Sequence, residues 1–160
     1  MVKKILIVTA IFLVLIQFVK SEKNIAEGAQ PNAITTKYLI PDSVQQILKV
    51  ACYDCHSNNT KYPWYSAIQP VAWWLNDHVK DGKKHLNFDE FTTYTLKRQD
   101  HKLEEVIETQ EDRWMPLESY SLIHGDAKLS ETQRKVIIDW AKETRLIIQS
   151  DSLFALSAKK

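Results

Sequence analysis

Apolar residues are spread unevenly along this chain, and one block stands apart. Residues 5–19 are apolar except for Thr9 and Gln17, with Lys3 and Lys4 ahead of them and Lys20 behind. A charged start followed by an apolar run is the layout of an export signal. As a helix the block rises about 22 Å, short of the roughly 30 Å hydrocarbon core of a bilayer, so its length points to a signal peptide. Phe18-Val19-Lys20-Ser21-Glu22 offers no small-x-small cleavage site, which points instead to an uncleaved anchor with lysines snorkelling at both ends. Either outcome places the remainder of the chain outside the cytoplasm. Residues 1–20 are therefore expected to be a signal peptide or N-terminal membrane anchor. Residues 21–40, polar and without period, are expected to be a spacer.

Helical periodicity begins after Pro41. Asp42 or Ser43 can cap a helix, with Gln45 or Gln46 three residues on, and Val44, Ile47, Leu48 and Ala51 form one apolar stripe at i, i+3, i+4 and i+7. Pro70 suits the first turn of a second helix and Gly82 its end, with Val71, Trp74, Leu75, His78 and Val79 on one face. Asn87-Phe88-Asp89 is expected to be a short extended entry. Glu90 to Gln110 follows as an amphipathic helix carrying Phe91, Tyr94, Leu103, Val106 and Ile107, broken near Asp100. Residues 111–128, with Pro116 and Gly125, are expected to form a loop. Ser130 with Gln133 is a capping box for a last helix, whose buried stripe is Val136, Ile137, Trp140, Ala141 and Thr144. No segment alternates as a strand does, so the expected class is all-α. The main domain is expected over residues 41–148, with a C-terminal tail over 149–160.

At 160 residues there is room for one modest domain plus a leader, and a net charge of +1 argues against nucleic acid or electrostatic membrane recruitment. What changes the picture is Cys52-Tyr53-Asp54-Cys55-His56, which contains the only two cysteines. C-x-x-C-H is the attachment sequence of c-type haem. Two thiols three residues apart on a helix or tight turn fall on one side, matched to the two vinyl groups of a porphyrin. His56, directly following, can then reach the iron from below. A thioredoxin-style dithiol would call for a βαβ pattern, which is absent here. A zinc site would call for four ligands, yet His78, His85, His101 and His124 show no ligand spacing. A disulfide between Cys52 and Cys55 would close too small a loop to constrain the unfolded chain much.

Haem iron held by His56 has a second axial position, whose occupant sets its chemistry. Met115 is the leading candidate: Pro116 pushes it out of the α region, displaying it from a stiff loop, and the only other methionine is Met1. Its ordinary alternative is a gap-filling core residue. His78, on an apolar helix face, is the competing ligand, and a hydrogen-bonded core histidine is its ordinary reading. His124 lies in the same loop region as Met115, whereas His85 and His101 sit among charges and read as solvent-exposed. Trp64 and Tyr65 are candidates to cover a haem edge, with loop packing as the alternative.

At these residues the chain resembles the bacterial haem-binding domain proteins that carry a single C-x-x-C-H. The likeness covers about residues 40–145. It rests on Cys52 to Asn58, Tyr62-Pro63-Trp64-Tyr65-Ser66, Gln69-Pro70, His78-Val79, Gly82 and Leu86-Asn87-Phe88. It continues through Met115-Pro116, Tyr120, His124, Asp126 to Ser130, and Trp140. The resemblance implies one covalent haem c in a small class I cytochrome c-like helical domain, preceded by an N-terminal hydrophobic helix. It implies thioethers at Cys52 and Cys55, proximal ligation by His56 and distal ligation by Met115. Covalent attachment in bacteria follows export, which agrees with the N-terminal pattern and points to the periplasmic side of the cytoplasmic membrane, or to the periplasm if the leader is removed. The expected function is a monohaem electron carrier serving redox protein partners and not an enzyme. The rivals are a haem-based ligand sensor, in which Met115 is displaced, and a small peroxidase-like enzyme with an open distal site.

Overall fold

A computed structural model describes residues 1–157 and is all-α: among the described residues there are seven α-helices and no strand. They are α1 (Val2–Ile16), α2 (Asp42–Ala51), α3 (Tyr53–His56), α4 (Val71–His85), α5 (Leu96–Glu111), α6 (Glu118–Ile123) and α7 (Glu131–Ser157), with short 3-10 turns between several of them. The backbone of the body is the α5–α7 pair. Leu103 and Ile107 of α5 are buried in one cluster with Trp140, Ala141 and Ile148 of α7. α2 adds Val44 and Leu48 to that cluster, and the turn after α4 adds Leu86, Phe88 and Phe91.

Several boundaries differ from expectation for local reasons. Residues 21–40 are not a spacer. Ile34 is only 1% exposed and sits in the main core with Tyr38, whose hydroxyl donates to Gln99 Oε1 at 2.6 Å. Upstream, Ile25 bridges Asn59 in antiparallel fashion. Too few apolar residues are present here to give a period, so the segment is polar in composition yet pinned at a few points. The helix expected from Glu90 breaks before Thr95, not near Asp100: Phe88–Thr93 is a 3-10 turn, and Thr95 caps α5 by accepting the Arg98 N–H at 3.3 Å. Residues 111–128 contain α6 and a further 3-10 turn, Gly125–Ala127, in place of a continuous loop. α2 begins after Pro41 without a side-chain cap. The capping box at Ser130 forms as read, Ser130 N–H to Gln133 Oε1 at 2.8 Å and Gln133 N–H to Ser130 Oγ at 3.2 Å. α7 then runs on to Ser157, so the expected tail begins inside a helix, and residues 158–160 lie outside the described residues.

The N-terminal block is helical as far as Ile16. From Ile5 to Leu15 the large apolar side chains of α1 are exposed, and only Ile16 is buried. Among the described residues no helix is long and apolar enough to cross a membrane.

Asp100 is held on the inner side of α5 by Arg145, whose Nε donates to Oδ1 at 2.8 Å and Nη2 to Oδ2 at 3.3 Å; Gln149 adds a bond at 3.0 Å. The Arg145 hydrogen bond keeps the Asp100 carboxyl below its ordinary value. Because the folded state favours the ionised form, this stabilisation is complete above the unfolded value near 4 and disappears as pH falls through the lower folded value. Asp100→Asn is expected to cost about 1 kcal/mol at pH 7 and to flatten the loss of stability below pH of about 4, measured by urea unfolding across pH. An unchanged acid limb would contradict the assignment.

Candidate functional site

The Cys52–His56 motif sits where two helices meet. α2 ends at Ala51 because Cys52 leaves the helical region (φ −129°, ψ −43°), and a single turn, α3, follows. That turn is closed by His56 N–H to Cys52 O at 2.9 Å and Cys55 N–H to Cys52 O at 3.2 Å. Both cysteines are free thiols. Burial pushes the Cys52 thiol up to about 12 and that of Cys55 up to about 11. A redox-active dithiol needs the opposite, a thiolate stabilised near neutral pH, so these sulfurs are poor candidates for disulfide exchange. No cluster of three or more His, Cys, Asp or Glu side chains suited to a metal ion forms among the described residues, and a four-ligand zinc site has no further donors.

His56 is set by its neighbour in space. Its Nδ1 lies 2.9 Å from Leu86 O. A carbonyl only accepts, so Nδ1 carries the proton and donates. Burial holds the imidazole below its ordinary value, hence neutral. The proton being committed to Nδ1, the lone pair sits on Nε2, the state in which a histidine binds a metal.

Leu86 supplies that carbonyl as the extended residue ending α4, and α4 itself is pressed against the motif at Gly82. A Cβ on Gly82 would lie 2.6 Å from Cys55 O and 3.0 Å from Cys55 Cβ. Gly82 was expected as a helix end; it lies inside α4, and close approach, not chain reversal, is what requires glycine. Val71, Leu75, His78 and Gly82 recur at i, i+4, i+7 and i+11, so the stripe that meets Cys55 continues along α4 as an apolar surface. Beside that stripe Trp74 is 46% exposed. His78 is half-buried, its Nδ1 2.9 Å from Trp74 O and its ring 4.2 Å from the Trp74 ring.

The motif is also held from its other side. Asp54 accepts from the Lys61 N–H at 3.0 Å and from the Tyr120 hydroxyl at 2.8 Å, and its carbonyl accepts from Thr60 Oγ1 at 2.6 Å. Tyr120 stacks on His124 at 4.3 Å, and His124 Nε2 lies 2.6 Å from the Tyr65 hydroxyl. Tyr65 thus joins α6 to the loop after the motif, whereas Trp64 packs edge-on to Tyr65 and is 80% exposed. Asn58 is a second hub: its N–H donates to Asp89 Oδ2 at 2.8 Å, its Nδ2 to Gln30 Oε1 at 2.8 Å, and its Oδ1 accepts from Asn87 Nδ2 at 2.8 Å.

Met115 is half-buried between α5 and α6. Its N–H donates to Thr109 O at 3.3 Å, and its carbonyl accepts from Arg134 Nη1 at 2.6 Å. The segment is therefore stiff through its backbone, and five residues later Tyr120 ties it to Asp54. His101 is exposed and faces Glu104 and Glu105 of its own helix; His85 is exposed at the end of α4. Reading the sequence found the motif, but not Leu86 O, the close approach at Gly82, the Asn58 hub or the Asp54–Tyr120 bond. Gly82, Asn58 and Tyr120 were visible as residues but carried no signal of whom they touch.

These features define an all-α protein that presents two half-buried thiols and a neutral, oriented imidazole beside a partly exposed helix face. Such a site suits a flat prosthetic group. The chain matches the haem-binding domain family over residues 11–143 and belongs to it. No curated protein and no solved structure is significantly similar to it.

Gly82→Ala is expected to push α4 off the motif and cost about 1–3 kcal/mol, as overpacking does. Tyr120→Phe, which only removes a hydrogen bond, should cost about 1 kcal/mol. Chemical denaturation measures both, and a Gly82→Ala protein as stable as wild type would show that the two helices are not in contact.

Proposed function

We propose that this chain is an exported monohaem protein of c-type cytochrome character that passes single electrons. The observation that carries the reading is the Nδ1–Leu86 bond of His56, which leaves Nε2 free beside two thiols that burial keeps protonated. The residues fit haem: Cys52 and Cys55 would hold it through thioethers, His56 would be the proximal ligand and Met115 the distal one. The apolar stripe of α4 would offer a wall for the ring, and Trp64 and Tyr65, in the 3-10 turn Trp64–Ala67, would shield an edge. When bound, haem supplies one-electron chemistry at its iron.

The chain's own residues tune that chemistry. Leu86 O fixes the histidine tautomer and ring orientation and raises its basicity. A thioether from Met115 would raise the reduction potential over a second histidine, which suits a carrier. The cytochrome c-like arrangement, with the motif after the first helix of the body and Met115 before the last, belongs to this proposal. So do location on the periplasmic side of the cytoplasmic membrane through α1 and exchange with redox protein partners.

In protein matured in a host competent for cytochrome c, the oxidised spectrum should be low-spin. Met115→Ala should keep the haem, lower the potential and open the iron to carbon monoxide, while His78→Ala should leave the spectrum as it is. Loss of the sixth ligand in His78→Ala instead would transfer the distal role to His78. A high-spin wild type that binds carbon monoxide readily would replace electron transfer with sensing or catalysis.

A further inference from the structure

We propose that α1 stays on the mature protein and seats the domain directly on a lipid bilayer, without a flexible tether. This rests on the exported reading above and goes further, because it assigns the N-terminal helix a structural role in the folded domain. The seat is a set of bonds around Gln69, which is 5% exposed. Gln69 N–H donates to Gln17 Oε1 at 2.9 Å, and Gln17 Nε2 lies 3.2 Å from Gln69 O. The Gln69 side chain donates to Val19 O at 2.7 Å, and Trp73 Nε1 lies 3.2 Å from the same carbonyl. Removing the leader after Val19 or Lys20 would break this continuity and strip buried Gln69 of its partners, a cost that signal cleavage ordinarily does not carry. The family match, beginning at residue 11, takes in the last six residues of α1.

The next fixed point follows almost at once. Asn24 N–H donates to the Tyr62 hydroxyl at 2.7 Å, and its carbonyl accepts the Thr60 N–H at 2.9 Å. Only residues 20–23 lie between the two attachments, a span of at most about 14 Å fully extended. A domain held at both points cannot swing freely about the helix.

Lipid is the occupant that α1 fits. Its large side chains are exposed on every side, with no single apolar stripe to lie in a protein groove. Lys3 and Lys4 flank one end, Lys20 and Lys23 the other. The helical apolar residues 5–16 rise about 18 Å, roughly 12 Å short of the hydrocarbon core; the difference is met by local thinning, by snorkelling lysines and by Phe18, which is 79% exposed just beyond the helix. α4 starts at this seat, and Val71 to Gly82 is about 16 Å of helix, so the Cys52–His56 motif stands at a set height above the lipid surface.

The test uses the full chain, purified from membranes and reconstituted in vesicles of phosphatidylethanolamine and phosphatidylglycerol. Intact mass should include the residues before Lys20, and the protein should stay with the vesicles through a carbonate wash. Trypsin should cut slowly after Lys20 and Lys23. Gln17→Ala, outside the main core, should speed that cut about tenfold with circular dichroism unchanged, and Gln69→Ala should do the same. A soluble exported form whose mass begins beyond Val19 overturns the proposal, as does wild-type cleavage as fast as that of Gln17→Ala. A chain that accumulates in the cytoplasm defeats the export reading alone, since the reconstituted vesicles still test the seat.

Discussion

The contact between α4 and the Cys52–His56 turn is the constraint on which the rest of the site depends. Two short-range interactions make it: the missing Cβ at Gly82 lets the α4 backbone lie against Cys55, and the Leu86 carbonyl at the end of the same helix receives the His56 proton. They are four residues apart, about one helical turn, so they act together. Without the close approach the carbonyl would not reach the imidazole. Without the carbonyl the half-buried imidazole would lose the 2.9 Å acceptor that fixes its tautomer. The chemistry available at Nε2 is thus a consequence of direct packing against a helix end 30 residues away in sequence.

Around this contact the chain places two belts of polar bonds that hold the motif without covering it. One runs from residues 24–30 through Asn58 to Asn87 and Asp89, closing the far side of the turn. The other joins Asp54 to Tyr120 and, by stacking, to His124 and Tyr65. Among the described residues no buried side-chain polar atom lacks a partner, which is what allows so polar a frame to be buried beside an apolar wall. α5 and α7 supply the hydrophobic mass, and the frame converts that rigidity into a fixed geometry at His56.

How much of this could be read from residues alone follows from the range of each interaction. Helices α2, α4 and α7 were legible because their apolar stripes and the Ser130–Gln133 box are local signals. The motif was legible because five consecutive residues carry its chemistry. Residues 21–40 were misread because Ile34 and Tyr38 reach the core singly, leaving no period to detect. Gly82 was seen, but as punctuation, since a glycine needed for close approach looks like one needed for a turn. Leu86 was invisible in principle: its contribution is a backbone carbonyl, which any residue could provide. Met115 was singled out by Pro116 and by scarcity of methionine; the structure adds its backbone anchors at Thr109 and Arg134.

The account stands or falls on covalent haem at this motif. The most direct measurement is haem-dependent peroxidase staining of the denatured chain on a gel, after expression in a periplasm able to mature c-type cytochromes. Wild type should retain the stain through boiling and detergent, and the double variant Cys52→Ala with Cys55→Ala should lose it entirely. A wild-type chain that is folded yet colourless, or a double variant that stains as strongly as wild type, would contradict it.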